Sequence, residues 1–139
     1  MSDDKAFIDT NLIVYLYSDT DLVKKKRVVQ AINEYERFVS TQVLNEFSNV
    51  CIRKLSLPLS AVRSAIAEIC KICNLVIIDD KTVLEAIRHH GKYGYSYYDS
   101  LIIASALESG CRYLLSEDMA DGQVVDEHLV IKNIFSSND

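Results

Sequence analysis

"KAFIDTNLIVYLYS", Lys5 to Ser18, opens as a short apolar run that ends in an acid and then changes to the apolar density of a helix. Asp9, Thr10 and Asn11 stand at the change, each a residue type that caps helices. The reading is strand, turn, helix, and the rest of the chain repeats that alternation. "RFVS", "NLVIID" and "CRYLLS" are further short apolar runs, and "LVIKNIF" is a last one. Between them lie segments with helical spacing. "DTDLVKKKRVVQAINEY" follows the caps Asp19 or Thr20, "STQVLNEFSNVCIRKL" starts at Ser40 or Thr41, and "LSAVRSAIAEICKIC" starts near Pro58. "DKTVLEAIRHHGKYG" runs until Gly91 and Gly94 stop it, and a final helix begins at Ser96. Short apolar strands without inside-outside alternation, each followed by helix, predict a mainly parallel sheet covered by helices on both faces. Ligands of such sheets bind beyond the carboxyl ends of the strands, where strand order reverses.

The composition sets limits on what the domain does. A chain of 139 residues, 49% hydrophobic and 25% charged, is expected to form one domain over residues 1–139. The longest unbroken apolar run, Leu12 to Tyr17, falls far short of the roughly 20 residues needed to span a bilayer, so no membrane partner is expected. "MSDDKAF" lacks a basic region followed by an apolar one, and a cytoplasmic location is the default expectation. Cys51, Cys70, Cys73 and Cys111 are scattered through patterned segments and read as reduced, core-filling thiols. The net charge of −5 argues against a protein that coats nucleic acid through general basicity. The one dense basic run, Lys24 to Arg27, wraps around most of a helix and reads as a solvated face.

Acids carry the functional argument. Asp9 follows the first strand, Glu46 lies on the helix after the second, Asp99 opens the last helix, and Asp118 and Asp121 follow the fourth strand. Each has a plain alternative. Asp9 serves as a helix cap, Glu46 at the margin of its apolar stripe reaches water or a lysine, and Asp118 and Asp121 lie in a polar loop. Asp99 is the most informative, because it shares a helical side with Ile102, Ile103 and Ala106 in a segment nearly devoid of polar groups. An ionised carboxylate there needs a cation or donors. Carboxylates from four distant segments, gathered at one sheet edge, call for a hard divalent cation, Mg²⁺ or Mn²⁺. Such ions activate water and stabilise both oxygens of an in-line displacement, which is the chemistry of phosphodiester hydrolysis.

"AFIDTNLIVYL", "STQVLNEF", "YYDSLIIASAL" and "YLLSEDMADG" resemble, in order, the four acidic motifs of PIN-domain ribonucleases, with the VapC-like toxins as the nearest group. The resemblance implies an α/β/α sandwich with a mainly parallel sheet, and a Mg²⁺- or Mn²⁺-dependent endoribonuclease acting on transfer RNA or other structured RNA. It also implies a homodimer and a small VapB-like antitoxin as partner. By the same resemblance Asp9, Glu46 and Asp99 match the first three acids, Thr10 and Asn11 the polar residues after the first, and Ser116 a supporting hydroxyl. The fourth acid is Asp118 or Asp121, with Asp118 preferred.

Three rival functions remain at this stage. A receiver-type phosphoacceptor needs an acidic pair after the first strand and a lysine ending the last, and an aspartyl phosphatase needs an acid where Asn11 stands. A PIN-like scaffold that binds protein or RNA without cleaving is the third. Among the tyrosines, Tyr97 and Tyr98 are expected to pack, whereas Tyr93 and Tyr95 fit either packing or base stacking. His89 and His90, adjacent on a helix, are expected at the surface.

Overall fold

The computed structural model describes residues 4–136. Strand β1 (Lys5–Ile8) passes through Asp9 into α1 (Thr10–Tyr17), then α2 (Leu22–Ile32) and β2 (Glu36–Ser40). The chain continues through α3 (Thr41–Arg53), α4 (Leu59–Ile72), β3 (Asn74–Val76), α5 (Asp80–Tyr93) and α6 (Tyr97–Glu108). It ends with β4 (Tyr113–Leu115), β5 (Val124–Val125) and β6 (Leu129–Lys132). The sheet order is β3-β2-β1-β4-β6-β5, parallel throughout except for β5, which runs antiparallel to β6. From β1 the chain steps outward to β2 and β3, then crosses back over the sheet to β4. Right-handed crossovers therefore put α1 to α4 on one face and α5 with α6 on the other. The result is the expected three-layer α/β/α sandwich. Strand order reverses between β1 and β4.

Local chemistry explains the elements. Ser40 ends β2 and accepts the Val43 amide at 3.3 Å, which turns the chain directly into α3. The α3 residues Val43, Phe47 and Cys51 recur at helical spacing and are fully buried. Asp79 and Thr82 form a reciprocal capping box on α5. Gly94 ends that helix at φ +77°, a left-handed conformation that glycine adopts without steric cost, and this lets α6 fold back against α5. Phe7 sits in register with Phe38 and Leu114, and β1 is buried from Ala6 to Ile8, as a central strand covered on both faces must be.

Several expectations are corrected. The third strand covers only 74–76, and Asp79 belongs to the cap of α5. Strand β5 was not foreseen, because two apolar residues carry no readable period. Asp21, and neither Asp19 nor Thr20, caps α2 by accepting the Lys24 amide at 3.0 Å. Cys70 is exposed, whereas the other three cysteines are buried and free. His89 is buried, stacked on Tyr93, with Nδ1 4.0 Å from Asp126 Oδ2. Burial holds its imidazole below the usual range, and the Asp126 charge opposes that shift. Asp126 itself also takes Arg88, Lys92 and the Tyr93 hydroxyl, so these contacts tie α5 to the β5–β6 turn.

Candidate active site

The crossing from β1 to β4 brings Asp9 and Ser116 together at the carboxyl ends of adjacent strands. Asp9 accepts the Thr10 amide at 2.7 Å, so it does cap α1, and its other oxygen accepts the Ser116 hydroxyl at 2.8 Å. The cap and the site are one residue. Thr10 Oγ1 donates to Glu46 Oε1 at 2.7 Å, linking α1 to α3. Asn11 Nδ2 donates to Asp118 Oδ2 at 2.6 Å, linking α1 to the loop after β4. On α6, the Asp99 amide is capped by Ser96 Oγ at 3.2 Å.

Electrostatics join these segments. Asp9 is 8% exposed, and its carboxyl is pushed up to about 6, first by burial and then by the charges of Asp99 and Glu46, against the pull of Ser116 and Thr10. Burial also raises Asp99; Ser96 opposes this, and the charges of Asp118 and Glu46 add to it. No ion pair among the described residues involves Asp9, Glu46, Asp99 or Asp118. Asp121 is placed differently: its carboxylate accepts the Asn133 amide at 2.9 Å and so fastens the loop to the end of β6.

As the side chains stand, no three His, Cys, Asp or Glu residues among those described converge into a ligand shell. Each acid for which a partner is seen is instead turned toward a neutral donor, Asp9 to Ser116, Glu46 to Thr10 and Asp118 to Asn11. The donor set nevertheless suits a hard divalent cation, being made of carboxylate oxygens with no thiol or imidazole among them. A bound cation would oppose the burial that chiefly raises Asp9 and Asp99 and the smaller repulsion between the carboxylates.

A second tier of contacts holds the loop after β4, and the sequence alone did not reveal it. Glu117 accepts from Tyr15 Oη at 2.6 Å and from the Lys24 ammonium. Burial pushes the Glu117 carboxyl up, but Lys24 and Tyr15 together bring it below its usual value. At the other end of the loop, Tyr95 Oη accepts the Ala120 amide at 3.2 Å and donates to Gln123. Tyr93 and Tyr95 are thus occupied by hydrogen bonds, while Tyr98, expected to pack, is 62% exposed. The one sequence signal for the clamp was the basic run itself, since Lys24 lies one turn after the Asp21 cap. Lys24→Met is expected to weaken Mn²⁺ binding severalfold in calorimetric titration with little change in the unfolding midpoint. A lower midpoint at unchanged Mn²⁺ affinity would make the clamp purely structural.

Solved structures share this fold. A toxin–antitoxin complex from Klebsiella pneumoniae superposes with a TM-score of 0.71 at 14% identity, covering 94% of this chain and 98% of that one. VapBC2 from Rickettsia felis, bound to a promoter DNA fragment, gives 0.66 at 15% identity, covering 93% and 98%. The Mycobacterium tuberculosis toxin VapC20, described as cleaving the sarcin-ricin loop, gives 0.64 at 17% identity, covering 78% and 86%. No curated protein matches the chain. The family model of the PIN domain matches residues 6–120, a span that runs from the strand before Asp9 through the loop holding Asp118, and the chain therefore belongs to the PIN-domain family.

Proposed function

We propose that this protein is a metal-dependent endoribonuclease that hydrolyses RNA phosphodiester bonds, and that it is the toxin of a toxin–antitoxin pair. The observation that carries the reading is Asp9: a buried carboxylate at the strand-order reversal, lifted toward neutral pH by burial and by Asp99 and Glu46, with no basic partner among the described residues. Asp9, Glu46, Asp99 and Asp118 would hold Mg²⁺ or Mn²⁺, which supplies charge neutralisation at the phosphate and a more acidic water. Ser116 and the Thr10 amide fix the direction of the Asp9 carboxylate, and Asn11 does the same for Asp118. Thr10 orients Glu46 from the same turn. Asp121 serves in this reading as a loop fastener rather than a ligand.

The solved neighbours in complex with antitoxins support a small antitoxin protein as the partner. A homodimer, structured RNA such as transfer RNA as substrate and a cytoplasmic setting complete the proposal. Among the described residues no helix is long and apolar enough to cross a membrane. The test is cleavage of total cellular RNA by purified protein with Mg²⁺, Mn²⁺ or EDTA, beside Asp99→Asn. Metal-dependent cuts that vanish in the variant are the expected result. Identical patterns from both proteins, with no divalent ion bound by the wild type, would leave a PIN-domain scaffold without cleavage.

A further inference from the structure

Beside the acids, α3 presents Gln42, Asn45, Glu46 and Asn49 at spacings i, i+3, i+4 and i+7, which place all four on one side of the helix. They line a cavity of about 470 Å³, within the range of ligand pockets, together with Tyr98 of α6. We propose that this cavity is a nucleobase subsite: an unpaired base, adenine by preference, stacks on Tyr98 and hydrogen-bonds the α3 amides on the side of the helix that carries Glu46. The proposal rests on the nuclease reading above and adds a determinant of where the strand is held.

The chemistry of the wall selects the ligand. No lysine, arginine or histidine lines the cavity, so a phosphate finds no counter-charge within it. Side-chain amides supply paired donors and acceptors, Ile78 and Leu101 supply apolar surface, and Tyr98 supplies an aromatic face. An uncharged planar heterocycle uses all three. Asparagine and glutamine match the N6 and N7 edge of adenine, and single-stranded RNA is read by such edge contacts together with stacking. Tyr98 is 62% exposed, and Tyr97 steadies it in an edge-on contact at 5.4 Å, so its ring is available without rearrangement.

Gln42 supplies the independent sign of a missing partner. It is 7% exposed, and its Nε2 donates to the Tyr98 carbonyl at 3.0 Å, which fixes which end of the amide is the donor. Its Oε1 is buried and has no hydrogen-bond partner among the described residues. Buried acceptors are rarely left unsatisfied; a turn of the Gln42 side chain toward the cavity would bring Oε1 to the exocyclic amine of a base, a donor of the right kind. The same glutamine holds the carbonyl that precedes Asp99, so filling the subsite bears directly on the acidic helix.

The experiment measures binding by fluorescence polarisation in EDTA, with labelled short oligoadenylate and oligouridylate, for wild type, Tyr98→Ala and Asn49→Ala. Wild type is expected to favour oligoadenylate. Tyr98→Ala should weaken that binding by about tenfold, the effect of removing one stacking ring. Asn49→Ala, at an exposed position that leaves the fold undisturbed, should remove most of the base preference. Equal binding of both strands, no binding of either, or variants indistinguishable from wild type would overturn the subsite. So would a change of sedimentation mass in Tyr98→Ala without loss of affinity, which would make this face a contact between two copies. Cleavage of total RNA with Mn²⁺ separates the two readings. Cuts without base preference leave the nuclease and remove the subsite, whereas base-selective binding without cuts leaves the subsite and removes the nuclease.

Discussion

Asp9→Asn is expected to abolish RNA cleavage and, in EDTA at neutral pH, to make the protein more stable than wild type. The two effects share one cause. The Asp9 carboxyl moves from 3.8 in an open chain to about 6 in the fold, so at pH 7 the folded state carries a charge that burial and its neighbours disfavour. A shift of that size corresponds to at most roughly 3 kcal/mol, less whatever the asparagine loses in contacts with Ser116 and Thr10. The sign follows from proton binding. Below about pH 4 both states are protonated and the penalty is absent; it grows through the window up to about 6, because the unfolded chain has released its proton and the fold retains it. Wild type should therefore lose stability relative to Asp9→Asn between about pH 4 and pH 6, and urea unfolding at both ends of that window checks it. Cleavage should fall about a thousandfold or more, as it does when one member of a cooperating catalytic set is removed. A variant less stable than wild type at pH 7 would return Asp9 to the role of helix cap alone.

A large loss of stability is expected from Ile103→Ala. Helix α6 is buried from Ser100 to Ala106, and Ile103 is fully enclosed in the main core. Truncation there removes apolar contacts and leaves a cavity that a helix packed on all sides closes poorly, a cost of about 2–5 kcal/mol. Leu84→Ala on α5, where the side chain is 64% exposed, should change stability by less than about 0.5 kcal/mol. Denaturant midpoints with equal slopes would show both effects. If Ile103→Ala were as mild as Leu84→Ala, α6 would be a loosely docked helix, and Asp99 would lack the rigid base that a site needs.

The parallel sheet was legible because its strands are buried on both faces, which writes them as plain apolar runs next to helix caps. Asp9, Thr10 and Ser40 announced the turns at which the chain changes element. Asp99 was legible for the opposite reason, as a charge in a helix with almost no polar side chains. What the sequence hid was pairing at a distance. His89 looked superficial until α5 and the β5–β6 turn enclosed it against Asp126. Lys24 looked solvated, since nothing local shows that Glu117 lies within its reach. Tyr98 looked like a packing residue because it joins the apolar helix α6, yet its side chain is largely exposed. Strand β5 escaped because its partner β6, and not its own residues, defines it.

The ends of the sheet have a consequence for self-association. Strand β3 closes one side with three residues and β5 closes the other with two, the latter running against the direction of the rest. Neither edge offers a run of free amides and carbonyls long enough to template a further strand, a form of protection against open-ended aggregation. Copies of this chain that meet are expected to do so through side chains rather than by adding a strand to the sheet. Such contacts are specified residue by residue, so a single surface substitution can retune them without disturbing the sheet beneath.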